Sequence, residues 1–259
     1  IGDCRDMLGR RPAAAADEIR ARRDQSRHLT GEIVRRAGVN RAAIDELRSV
    51  KSPREVALVR RASQLAGLGV LEAMRSTEPG AWEYQLDAAA RYVFLQNGAR
   101  QDGYRSITAS GTENIWNAHY YRNDSPLRAG DLVLMDYAPD YRYYVSDIGR
   151  MWPVGGTYAP WQRELLQFVL EWRNAVLPRI RPGVTTDAIL AEARAAMEPV
   201  LARTRFSKPE YEKAARKMLE TSGGAFSHPV GMAVHDVGGY RDAPLEPGQR
   251  DVPWPCNKT

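Results

Sequence analysis

The sequence predicts a mixed α/β (α+β) fold built from two related halves, and two observations carry that expectation. The order helix, Pro-Gly break, helix occurs twice, as EPGAWEYQLDAAA from Glu78 and as RPGVTTDAILAEA from Arg181, each time ahead of strand-like sequence;. Between them, LVLMDYAPDYRYYVSDIGR, from Leu132 to Arg150, reads as a β-hairpin: one strand over Leu132–Asp136, a loop at 139–142, and a second strand over Tyr143–Met151;.

The hairpin is the chemically informative stretch. Residues opposite one another in an antiparallel pair have a constant index sum. A turn centred between Tyr141 and Arg142 therefore sets Asp136 opposite Asp147. Opposed side chains share a face with Cβ atoms roughly 4.5–5.5 Å apart, where like charges repel. A carboxylate pair so placed is tolerated when a cation sits between its members, which makes a metal site the hypothesis.

Composition excludes several classes. Of 259 residues, 43% are apolar and 27% charged, as in an ordinary globular protein with one large domain or a domain plus part of another;. No run approaches the ~18 apolar residues of a membrane helix, and no secretory signal pattern opens the chain. Cys4 and Cys256 make no disulfide framework, and reduced thiols in a cytoplasmic protein are expected;. The net charge of +5 comes from basic residues interspersed with acids, so neither a membrane nor a nucleic-acid partner is expected;.

In chain order, residues 1–50 read as a helical leader, with a charged helix over Ala15–Ala37, a break at Gly38-Val39-Asn40 and a short helix over Arg41–Leu47. This leader has too few large apolar residues for its own core and is expected to be the end of an upstream domain, with the main domain over 51–259. Ser52-Pro53-Arg54-Glu55 is a capping box, followed by Val56, Val59, Ala62, Leu65, Ala66 and Val70 at helical spacing;. That helix stops before Glu78-Pro79-Gly80, and the next runs from Ala81 to Gln96, ended by Asn97-Gly98. Strands are expected over Tyr104–Ser110 and Asn114–Tyr121, ahead of the hairpin. A helix over Trp161–Leu177 stops at Arg181-Pro182-Gly183, another covers Thr186–Ala202, and a last strand is expected over Phe226–Val237;.

There are four histidines. His28 lies in the charged leader and reads as a surface residue. His119, His228 and His235 lie at strand ends near the carboxylate pair. His228 and His235 are an odd number of residues apart, so on one unbroken strand they face opposite sides.

These segments resemble a known family. LVLMDYAPDYRYYVSDIGRMWPV is similar to the metal-binding hairpin of creatinase-type (M24) metallopeptidases, the family of Xaa-Pro aminopeptidases, prolidases and methionine aminopeptidases, through Asp136, Tyr144, Ser146, Asp147, Ile148 and Arg150. NAHYYRNDSPLRAGD resembles the segment that carries an active-site histidine, here His119. SHPVGMAVHDVGGYRDAPLEPG resembles the family's histidine strand, with His228 at a metal-ligand position and His235 at the second catalytic histidine. The resemblance runs from about Arg48 to Gly248 and is nearest to the Xaa-Pro aminopeptidase branch.

The resemblance implies the pita-bread fold, two pseudosymmetric halves of antiparallel sheet covered by helices, and hydrolysis of the bond before proline in peptides. It implies two divalent cations, usually manganese, cobalt or zinc, with Asp136 chelating one, Asp147 bridging and His228 binding the other. His119 and His235 would meet the substrate carbonyl or the leaving nitrogen, and a homodimer is compatible with the family.

The pattern departs from the family at its end. Two further glutamate ligands are expected after Leu245-Glu246-Pro247-Gly248, but no glutamate follows Glu246, and Gly224 stands where many members have another histidine. The expectation is a C-terminally incomplete domain, its last strands missing, truncated or frame-shifted, and prone to aggregate. The alternative is a catalytically inactive pita-bread module that binds peptides or proteins.

Overall fold

The computed structural model describes residues 41–117, 120–221 and 227–237. The chain divides into two compact units, Ile1–Leu47 and Arg48–Thr259, and the architecture below is that of the second. Helix α1 (Arg41–Ser49) spans that boundary. The expected helix over 15–37, the two cysteines, His28, His119, Gly224 and the sequence after Val237 lie outside the described residues.

Helix α2 (Pro53–Arg75) begins as the sequence predicts. The Ser52 hydroxyl accepts the Glu55 N–H, and the Glu55 carboxylate accepts the Ser52 N–H at 2.7 Å. Helix α3 (Glu83–Gln96) follows the turn at Gly80, whose φ of 91° suits glycine;. A Cβ on Gly69 would fall 2.3 Å from the Phe94 ring, so the absence of a side chain there sets how closely α2 and α3 approach.

Two small antiparallel sheets follow. In one, β1 (Gln101–Asp102) pairs with β4 (Pro139–Asp140). The other has the order β2 (Ile107–Ser110), β3 (Leu132–Asp136), β5 (Gly149–Pro153). Alternation along β3 sends Val133 and Met135 to the helices, where they pack with Leu65, Leu86, Ala90, Phe94 and Trp152 in the main core;. Leu132, Leu134 and Asp136 are left on the opposite face, the face of Ile107 and Ala109, which pack with Tyr120.

Between β2 and β3, the structure replaces the expected strand over 114–121 with a short helix, α4 (Thr112–Ile115). Gly111, at a φ of 74°, turns the chain out of the sheet, and its carbonyl accepts the Asn114 and Ile115 N–H groups. The segment is held by buried carboxylates of α3. Glu83, fully buried, accepts from Ser110 N and Oγ, Asn114, the Tyr120 hydroxyl and Ser125 N. One turn further along, Asp87 accepts from Ser106, Thr108 and Asn123.

The second half opens as the first does. Helix α5 (Pro160–Val176) has proline at its first position and a side chain three after the cap, Gln162, that accepts the cap N–H at 2.8 Å. A 3₁₀ turn (Leu177–Arg179) and Gly183, at a φ of 77°, lead to α6 (Thr186–Arg203), capped by Thr185. In both halves the helix cap stands two residues after the Pro-Gly glycine, as Trp82 and as Thr185. Helix α7 (Pro209–Thr221), which the repeat does not predict, packs Ala215 and Leu219 on Phe168, Met197 and Leu201.

The last expected strand is also corrected: residues 227–237 form no strand. Pro229 has no N–H, and the chain folds back on itself, with Gly231 N–H donating to Ala233 O and Asp236 N–H to Pro229 O;.

Candidate functional site

The predicted hairpin exists, but its register is shifted by two residues. Asp136 pairs with Gly149, not Asp147, and the turn is centred on Arg142 and Tyr143, which have φ of 53° and 71°. Positive φ at both central residues is the type I′ geometry whose twist matches the flanking strands. The Tyr141–Tyr144 bridge and the Tyr143 N–H to Asp140 carboxylate bond, 2.7 Å, close it. Asp147 lies outside the ladder, in the irregular stretch before β5, yet close enough for its charge to act on Asp136.

His228 joins the pair, its Nε2 lying 2.9 Å from Asp147 Oδ2. Its Nδ1 lies 3.1 Å from the Pro229 carbonyl, so the ring is held with Nε2 toward Asp147. His235 stands beside it, with ring centroids 4.1 Å apart. The expectation that these imidazoles face opposite sides fails because the segment is folded, not extended.

The sequence gives no direct signal for Tyr104. Its hydroxyl donates to Asp136 Oδ1 at 2.6 Å. Burial, then the Asp136 charge, pushes the Tyr104 phenol up, so it stays a donor. Burial, with the adjacent Asp147 charge, raises the Asp136 carboxyl against the lowering effect of the Tyr104 bond.

The donor set fits a divalent cation in kind: hard carboxylate oxygens and one inward imidazole nitrogen. In arrangement the donors form a chain with Asp147 in the middle. Among the described residues, no group of three or more His, Cys, Asp or Glu converges as a metal cage does.

A helix-backed antiparallel sheet, with Asp136 at the end of β3 and Asp147, His228 and His235 on adjoining irregular segments, is the frame in which the comparisons are set. The model of metallopeptidase family M24 matches residues 57–250, and the chain belongs to that family. It is 35% identical over 215 residues to the Xaa-Pro aminopeptidase of Escherichia coli, covering 80% of this chain and 48% of the relative. It is 32% identical over 205 residues to the mitochondrial intermediate cleaving peptidase 55 of Arabidopsis thaliana, covering 78% and 40%.

Among solved structures, an E. coli aminopeptidase P variant in complex with substrate matches with a TM-score of 0.68 at 33% identity, over 82% of this chain and 47% of that one. A zinc-substituted form in complex with product gives 0.67 at 35%, over 80% and 48%. Proline aminopeptidase P II from Yersinia pestis gives 0.69 at 31%, over 95% and 56%. The chain has the pita-bread fold of these structures over the part it covers, and it spans about half the length of the curated relatives it matches. Among the described residues, no helix is long and apolar enough to cross a membrane.

Proposed function

We propose that the chain carries the metal-binding part of a metal-dependent Xaa-Pro aminopeptidase- or dipeptidase-like hydrolase, acting on proline-containing peptides. The observation that carries this reading is His228 Nε2 at 2.9 Å from Asp147, with His235 against His228 and the Asp147 charge acting on Asp136. Asp136, Asp147 and His228 would hold the divalent metal, with manganese the first ion to test. When bound, a divalent metal supplies polarisation of the scissile carbonyl and a water of lowered pKa. Tyr104 donates to Asp136 Oδ1 and would orient that carboxylate as a ligand. His235, and by the family resemblance His119, would stabilise the carbonyl oxygen or protonate the leaving nitrogen. The reading includes a cytoplasmic setting, a catalytic domain from about residue 51, and a homodimer as the assembly to examine.

Isothermal titration of the purified chain with manganese or zinc tests it. Binding that weakens at least about tenfold in Asp147→Asn is expected. The reading is overturned if neither metal binds, or if Asp147→Asn leaves the affinity unchanged. Peptide capture that survives loss of both Asp136 and Asp147 would favour the inactive binding module instead.

A further inference from the structure

The Asp236 side chain is only 1% exposed, yet Oδ1 takes a short hydrogen bond from Arg48 Nη2 and Oδ2 lies 3.3 Å from Lys51 Nζ. A carboxylate so buried is tolerated because two cations share it. The same Oδ2 accepts the Met232 N–H at 3.3 Å, and the Asp236 N–H donates to Pro229 O at 3.0 Å. The turn between the two imidazoles is thus closed on the residue that follows His235. It is also tied to the chain just before Asp147, since Val145 N–H donates to Gly231 O at 2.8 Å. Gly231 completes the packing. A Cβ there would fall 2.0 Å from Asp236 Oδ2 and 2.9 Å from Lys51 Cε, so the turn is built around the carboxylate.

We propose that Asp236, clamped by Arg48 and Lys51, is the positioning residue that folds the 228–236 turn and brings the His228 and His235 rings together beside Asp147. It acts through the turn and touches neither Asp136 nor Asp147 in any contact described above. Arg48, in the last turn of α1, and Lys51, between α1 and α2, thereby set the geometry of the imidazoles. This rests on the reading that those imidazoles serve the site.

The test uses the full metal-free chain with labelled histidines, followed by zinc titration. Wild type should show a nuclear Overhauser effect between the His228 and His235 rings. Asp236→Asn should lose it and shift both imidazole resonances, with an unchanged far-ultraviolet circular dichroism spectrum. Zinc affinity should fall about tenfold, the scale for groups that orient a ligand. Lys51→Gln should weaken the same signals less, since Arg48 remains. Wild-type ring contacts and shifts retained in Asp236→Asn, or no ring contact in wild type, would overturn the proposal. If Asp236→Asn does not fold, the Arg48→Gln/Lys51→Gln double variant decides in the same terms. Absence of zinc binding by wild type would sink the metal reading alone, because the ring contact is measured without metal.

Discussion

The two halves begin with the same local grammar and reach different ends. Each opens with proline at the first helical position and an acceptor side chain three after the cap, breaks at Pro-Gly, and caps a second helix two residues later. The first half then builds β2, β3 and β5 on its helix pair, and one core joins Leu65 and Phe94 to Val133 and Trp152. In the second, the described residues continue to α7 and a folded turn, and the helices share a separate apolar cluster around Phe168. Helix starts are thus set by a few neighbouring residues, whereas strands need a partner that sequence neighbours do not supply.

The largest effects should come from the first core. Phe94 is buried between α2, α3 and Tyr137, with the Tyr137 ring 5.0 Å away, so Phe94→Ala should cost about 3–5 kcal/mol in urea unfolding;. Phe168→Ala should cost less, toward about 3 kcal/mol, since its cluster leans on the partly buried Trp172, Phe206 and Met218, which can relax into the space;. Equal costs would mean the two clusters unfold as one core. Glu83→Ala comes next. It leaves several buried donors without an acceptor, and about 3 kcal/mol should be lost;. Because those donors lie at Ser110, Tyr120 and Ser125, amide exchange should rise there before it rises in α2.

The same contrast explains what could be read from the sequence. Capping boxes, Pro-Gly breaks and apolar spacing gave α2, α3, α5 and α6, and the apolar run at Leu132 gave β3. The hairpin itself was legible, but its register was not: Asp136 pairs with Gly149, and Asp147 stands outside the ladder. The strand expected at 114–121 failed on one glycine, Gly111, which redirects the chain at the end of β2. The strand expected near Val237 failed because Asp236 finds its cations far back in the sequence, at Arg48 and Lys51, a pairing that no periodicity encodes. Tyr104 gives no signal for the same reason: its partner Asp136 lies 32 residues on, at the end of β3.

A smaller effect probes the seam where α5 meets the first half. Gln162 is buried, donates from Nε2 to the Gly130 carbonyl at 2.8 Å and accepts the Ala159 N–H. Gln162→Ala should cost about 1–2 kcal/mol, measured by urea unfolding. Restoring only the cap bond, with Gln162→Glu, should recover part of it, since glutamate accepts from Ala159 but cannot donate to Gly130. Full recovery would show that the link to the first half contributes nothing.

The smallest expected effect is in pH dependence, and it separates two kinds of buried carboxylate. Burial pushes Asp87 above its ordinary value despite three hydrogen bonds, and the nearby Asp102 charge adds to the rise. Burial also acts to raise Asp236, but the Val237 N–H and the charges of Lys51 and Arg48 outweigh it and hold the carboxyl below its ordinary value. The signs follow from linkage. A lowered folded-state pKa contributes stability that is present above the unfolded value, near 3.8 for aspartate, and is lost as pH falls through the folded value. A raised pKa has the reverse sign: ionising Asp87 costs stability as pH rises from that unfolded value through the folded one. The stability difference between wild type and Asp236→Asn should therefore be full at pH 6 and shrink below pH about 4, while Asp87→Asn should show its most favourable difference at the higher pH. Urea midpoints at both pH values measure this directly. A difference for Asp236→Asn that stays constant through the acid range would mean the clamp holds by shape and hydrogen bonding alone, with no contribution from the charges of Arg48 and Lys51.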